Sequence, residues 1–260
     1  MAPPASRSEA VKFALGEGEL SRRIALAREN YPEQEVGKPH IFRLLGELDL
    51  LLEPARRLVR EIDIPRTDRP QTIIVLPGFG ASAMRMRYMA RQIERAGHRT
   101  KRWGQGRNWG IASDAMAGLE MRLTDVCDRY DEPAVLLGWS LGGLYARELA
   151  KRHPDLVSKV ITMGSPFSGS PRANNVWRVY QAIAGHRVDQ PPIEADVSAK
   201  PPVETVALWS PNDGAIAPAS AAGKPGERDR AIALNCTHCG FAYSPESILA
   251  VLAELERGQD

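Results

Sequence analysis

Apolar positions along this chain fall into two rhythms. Thr72-Ile73-Ile74-Val75-Leu76 is a short β-branched run with no polar break, the mark of a strand buried on both faces. Ala134–Trp139, Lys159–Met163, Val203–Trp209 and Ala231–Asn235 read as further strands. Arg99–Trp103 reads as a more polar one near an edge. Between them the period lengthens to that of a helix over Met84–Ala96, Ala115–Tyr130 and the residues after Leu141. Ser244–Glu256 closes the chain as a helix, with Ser244 suited to the N-cap and Pro245 to the first turn. Strand alternating with helix predicts an α/β fold: about six strands, mostly parallel, with helices on both faces.

Two stretches break the alternation. Residues 1–70 show no strand and form an N-terminal helical extension ahead of a core at 71–260, with a proline-bounded link at 65–70. Within the extension Ile41, Leu44, Leu45, Leu48, Leu51, Leu52, Leu58, Val59 and Ile62 recur at helical spacing, and Pro54 divides or kinks the stripe. The expected arrangement is a helix docked on the core. The alternative is a peripheral membrane or partner contact, since Arg43, Arg56, Arg57 and Arg60 flank the stripe. Residues 165–202 also lack a strand and carry six prolines, with Val176, Trp177, Tyr180 and Ile183 on one helical face. An insertion at the carboxyl end of a strand overlies the site of an open α/β sheet, so it is read as a lid.

Composition narrows the classes. A net charge of +2, without a dense basic run, argues against nucleic acid. No segment approaches the ~20 apolar residues of a membrane span, and the N-terminus lacks the apolar core of a secretory signal. Three cysteines form no disulfide framework, which fits a cytoplasmic protein. The glycines of residues 104–110 miss the dinucleotide-binding spacing, and the charged residues before them do not make a central strand. That loop is expected to line the site through Trp109 or Asn108. Cys236, His238 and Cys239 fall one ligand short of a zinc site, so no metal is assigned.

The candidate chemistry lies at Leu137-Gly138-Trp139-Ser140-Leu141-Gly142-Gly143, where an apolar run meets a helix. This is the form of a nucleophile elbow, a cramped strand-to-helix turn that presents a serine hydroxyl. Leu141 N–H, at the new helix start, can face a developing oxyanion. The loop Pro77-Gly78-Phe79-Gly80, after the first core strand, offers the Phe79 N–H as a second donor. A serine needs a base to take its proton and an acid to orient the base. In the chain order of elbow hydrolases both follow the serine. Of five histidines, only His238 follows the last predicted strand. Asp213 leaves the preceding strand in Asn212-Asp213-Gly214, also an ordinary turn signal, while Asp189 and Asp196 lie in the lid.

With Gly138-Trp139-Ser140-Leu141-Gly142, Pro77-Gly78-Phe79-Gly80, Asp213 and His238 in this order, the chain resembles the α/β-hydrolase superfamily. Within it the chain is most similar to bacterial lipase- and esterase-like members. Gly164-Ser165-Pro166 resembles a segment that lipase-like members carry after the next strand, and Pro77 stands where many relatives have histidine. The resemblance covers residues 70–257. It implies hydrolysis of a small-molecule ester with an apolar acyl group, through a Ser140–His238–Asp213 triad and an acyl-enzyme, without cofactor or metal. Trp109, Trp139, Trp177 and Tyr180 are the candidate substrate contacts. Thioester hydrolysis or acyl transfer would use the same triad. A non-catalytic binding protein on the same fold is the reading from another class.

Overall fold

The computed structural model describes residues 7–29, 37–53, 55–56, 60–193 and 195–257, with the backbone alone for 7–17. Strands β1 (Thr72–Leu76), β2 (Arg99–Arg102), β3 (Ala134–Trp139), β4 (Val157–Met163), β5 (Glu204–Trp209) and β6 (Arg230–Ala233) form one parallel sheet. Their order is β2-β1-β3-β4-β5-β6, so the polar Arg99 strand is an edge and the elbow strand is central. Among the described residues, the main helices are α1 (Arg7–Arg28), α2 (Arg43–Gly46), α3 (Arg87–Arg95), α4 (Ser113–Tyr130), α5 (Leu141–Arg152), α6 (Trp177–Ala184), α7 (Pro218–Ala222) and α8 (Pro245–Glu256). Ser244 caps α8, its side chain accepting from Ser247 N–H.

Period-two alternation sends successive residues of each strand to opposite faces. Ile73, Val75, Val135, Leu137, Val206 and Leu208 join α3 and α8 in one core cluster. Ile74, Leu76, Leu136 and Val160 join α4 and α5 in the other. Because both faces are covered, every β1 and β3 side chain is buried, which is why these strands read as unbroken apolar runs. Turns at the carboxyl ends of β1, β3, β5 and β6 lead to Phe79, Ser140, Asp213 and His238 respectively. A parallel sheet brings such turns together at one edge, although the residues are far apart in the chain.

The extension departs from expectation. Its apolar stripe is not one helix: α2 spans four residues and passes directly into a 3₁₀ turn at Glu47–Leu51. Ile41, Leu45, Leu48, Leu51 and Leu52 face solvent, whereas Ile62 is buried and Leu50 packs on the core. Glu53 is buried instead, paired with Arg60 at 2.8 Å. Pro54, Leu58 and Val59 lie outside the described residues. Short chain segments can dock by satisfying backbone donors of the core, and here the polar positions do so. The earlier helix α1 runs beside α6. Gln181 Nε2 donates to Leu26 O at 2.6 Å, and Arg187 pairs with Glu29 at 3.0 Å. Among the described residues, no helix is long and apolar enough to cross a membrane.

Candidate active site

Ser140 sits between β3 and α5 with φ 53° and ψ −121°, a conformation that costs a non-glycine residue of order 1–3 kcal/mol. Its surroundings allow nothing wider. A Cβ on Gly142 would press into Leu76 O, and one on Gly138 into the backbone of Gly143. Ser140 N–H donates to Met163 O at 2.8 Å, tying the turn to the end of β4. The sharp turn therefore follows from two close backbone approaches that only glycine permits.

Two backbone donors frame the serine. Among the described residues, the N–H groups of Phe79 and Leu141 donate to no protein acceptor. Asn108, 1% exposed, fixes the Phe79 loop. Its Nδ2 donates to Pro77 O at 2.8 Å, its N–H donates to Ala81 O at 2.8 Å, and its carbonyl accepts from Gly80 N–H at 2.6 Å. Asn108 rather than Trp109 is thus the structural member of that loop. Trp109 is absent from the cavity wall and half exposed, beneath the Arg107 guanidinium.

Asp213 is fully buried and His238 nearly so. Asp213 Oδ2 accepts from His238 Nδ1 at 2.8 Å, while Oδ1 accepts from Ala215 and Ile216 N–H at 2.8 and 2.7 Å. With both oxygens engaged, the carboxylate holds the ring with Nδ1 protonated and leaves Nε2 as the basic nitrogen. Burial alone would depress the imidazole pKa. The Asp213 charge, its hydrogen bond and, less strongly, the Glu47 charge outweigh that burial and raise it above 6.5. Trp139, an expected substrate contact, packs on His238. Its Nε1 donates to His238 O at 3.0 Å, and the rings lie 5.6 Å apart. Among the described residues, no hydrogen bond joins Ser140 Oγ to His238. Such bonds commonly tighten only when substrate binds.

Above the serine lies a cavity of about 330 Å³, walled by Phe79, Leu144, Val176, Trp177, Tyr180 and Ile216 among others. Trp177 and Tyr180, two expected contacts, are in its wall, whereas Ile183 of the same helix is partly exposed. Tyr180 OH accepts from Ile111 N–H at 3.0 Å, and its ring lies tilted against that of Phe79 at 5.1 Å, linking α6 to the Phe79 loop. Arg147, on the buried face of α5, pins the far end of the 165–202 excursion. It donates to the carbonyls of Val197, Ser198 and Ala199 at 3.0–3.1 Å. Burial lowers its pKa to about 10, leaving it charged at neutral pH. Neither Arg147 nor Asn108 stands out in the sequence as a buried polar anchor. The only available signal was their place, on the elbow helix and in the loop singled out beside Trp109.

Comparison with known proteins agrees with this fold. Residues 120–199, which contain the elbow, match the family model described as alpha/beta hydrolase fold. A pimeloyl-acyl-carrier-protein methyl ester esterase of Klebsiella pneumoniae (strain 342) is 32% identical over 97 residues, 36% of each chain. A putative carbamate hydrolase of Rhizobium rhizogenes (strain K84) is 30% identical over 160 residues, 55% of each chain. The chain thus spans from about a third to about half the length of these curated relatives. A crystal structure of a pyrethroid hydrolase superposes with a TM-score of 0.51 at 15% identity, covering 73% of this chain and 98% of that one. That last likeness is one of fold. Six parallel strands, an elbow serine after the central strand and the matching family model over residues 120–199 give the chain an α/β-hydrolase fold.

Proposed function

We propose that this protein is a serine carboxylester hydrolase acting on esters with an apolar acyl group. One observation carries the reading: a strained Ser140 and a buried Asp213–His238 pair stand at the same sheet edge, with two free N–H donors beside the serine. The esterase and hydrolase names of the partial relatives point the same way.

The chemistry follows the geometry. Ser140 Oγ attacks the ester carbonyl carbon as His238 Nε2 takes the hydroxyl proton. The carbonyl oxygen gains the charge, and Phe79 and Leu141 N–H groups stabilise it. One such donor is worth about 3 kcal/mol of barrier. The carbon–oxygen bond to the alcohol then breaks, and His238 returns its proton to the departing oxygen. Water repeats the sequence on the acyl-enzyme, releasing the acid and restoring Ser140. Asp213 holds the ring throughout and stabilises its charged form.

The test is fluorophosphonate labelling together with p-nitrophenyl ester turnover. Both should vanish in Ser140→Ala, and turnover surviving that change would refute the assignment. Matched oxygen esters and thioesters, with and without an alcohol acceptor, separate ester hydrolysis from thioester hydrolysis and acyl transfer. Wild-type protein that takes no label between pH 6 and 9 would instead favour the binding-protein reading.

The excursion at 165–202 is proposed as the lid of the acyl cavity, because it supplies Val176, Trp177, Tyr180 and much of the remaining wall. Removing the Trp177 indole enlarges the cavity. Trp177→Ala should therefore shift the preferred acyl length upward across a C2 to C12 ester series with the fold intact. An unchanged profile would remove Trp177 from the acyl site.

A further inference from the structure

The loops that carry acid and base meet a third partner, which comes from neither the sheet nor the lid. Glu47 opens the 3₁₀ turn of the N-terminal segment, and its carboxylate reaches across to both loops. Oε1 accepts from Gly214 N–H at 3.1 Å and from His238 N–H at 2.8 Å, while Oε2 accepts from Cys239 N–H at 2.7 Å. Gly214 adjoins the triad acid and His238 is the triad base, so one side chain bridges the two. Close packing fixes the bridge: a Cβ on Gly214 would press against the backbone of Arg43 and Leu44, and the Arg43 guanidinium donates to Pro211 O. The loops are also tied directly, through Ser210 Oγ donating to Cys236 O at 2.6 Å.

We infer that Glu47 is a positioning residue of the active site, a carboxylate from the N-terminal segment that holds the acid and base loops in one register relative to Ser140. The inference rests on the reading of Ser140, Asp213 and His238 as the triad. A carboxylate suits the task because it is acceptor-only, with lone pairs enough for three converging N–H groups, and charge-assisted bonds to such donors are stronger than neutral ones. A glutamine offers one acceptor oxygen and turns two donors toward the remaining N–H groups. The segment before residue 71 is then a working part of the site rather than an appendage to the core.

The same carboxylate acts on His238 through its charge, which adds to that of Asp213 in raising the imidazole pKa. Around the ring stand Asp213 from the loop after β5, Glu47 from the extension and the uncharged rings of Trp139 and Phe241. Arg85 reaches the neighbouring Cys239 thiol. Loss of the Glu47 charge therefore lowers the His238 pKa, and the base stays neutral to lower pH.

The experiment uses the full chain in three forms: wild type, Glu47→Gln and Glu47→Asp. With p-nitrophenyl butyrate, Glu47→Gln should lower kcat about tenfold or more while KM changes less than about threefold, since a small displacement of catalytic groups costs rate. Its acid limb of kcat/KM should move to lower pH. Glu47→Asp keeps the charge and should keep the limb in place while kcat still falls. A purely structural role would lower melting temperature and active fraction without moving the limb. A wild-type kcat and an unmoved limb in Glu47→Gln overturn the inference. If Glu47→Gln does not fold, Glu47→Asp decides alone, and an unchanged kcat overturns it. Titration of the His238 ring by NMR needs no substrate. If the wild type turns over no ester, the hydrolase reading fails, and this titration alone judges Glu47. A downward shift in Glu47→Gln supports it, and no shift overturns it.

Discussion

The elbow at residues 134–152 and the extension at 37–53 both bear on the candidate site, but by opposite routes. In the elbow, neighbours in sequence are neighbours in space: β3 runs into Ser140 and Ser140 into α5, each step set by local period and glycine placement. In the extension, what matters is Glu47, whose partners lie 167, 191 and 192 residues further along the chain. The apolar positions of the elbow face inward and those of the extension largely face out. A region can therefore serve a catalytic site either by its own backbone geometry or by one long-range polar contact, and only the first leaves a pattern in the chain.

The largest expected effect tests the elbow. If the strained serine is the nucleophile, Ser140→Ala removes ester turnover by roughly 10⁴-fold or more, with an unchanged melting curve. Residual activity of a tenth of wild type would mean that the turn is structural and another group performs the chemistry.

Next in size is the backbone of the same turn. Gly142→Ala places a methyl group against Leu76 O, a fixed atom of β1 that cannot move without disturbing the sheet. Overpacking of this kind costs about 3 kcal/mol. For a chain of this length that is roughly 10 °C in melting temperature, readable by calorimetry. A shift below about 2 °C would show that the elbow tolerates a Cβ and that its glycines do not enforce the turn.

The same contrast explains what could be read before the structure. The central strands β1 and β3 were legible because strands covered on both faces are apolar throughout, and polar Arg99–Arg102 betrayed its edge position by breaking that rule. The meeting of Ser140, Asp213 and His238 at one sheet edge was legible because parallel topology sends every strand's carboxyl end to that edge. The packing of Trp139 on His238 and the exposure of Trp109 were not, since both depend on the tertiary neighbours. Glu47 was invisible for a sharper reason. Within a stripe of leucines at helical spacing it reads as the solvated face, and burial by periodicity assigns the leucines to the core. The structure reverses this because the surface it meets is not apolar. That surface is made of loop N–H groups of Gly214, His238 and Cys239, which need an acceptor more than the leucines need cover.

The smallest predicted effect follows from that reversal. Leu48 and Leu51 flank Glu47 closely in sequence, yet they are 58% and 73% exposed. Burying a leucine is worth about 1.5–3 kcal/mol, so a helix docked through this stripe would lose several kcal/mol if both became serine. Where the side chains already lie in water, the same double change removes little contact and should cost under ~1 kcal/mol, since surface substitutions usually fall within ±0.5 kcal/mol each. Chemical denaturation of Leu48→Ser/Leu51→Ser measures this directly, and ester turnover should stay within about twofold of wild type, because the backbone that carries Glu47 is unchanged. A loss of 3 kcal/mol would mean that these leucines are covered in solution. The apolar stripe would then dock the segment, and the polar contact would be secondary to it.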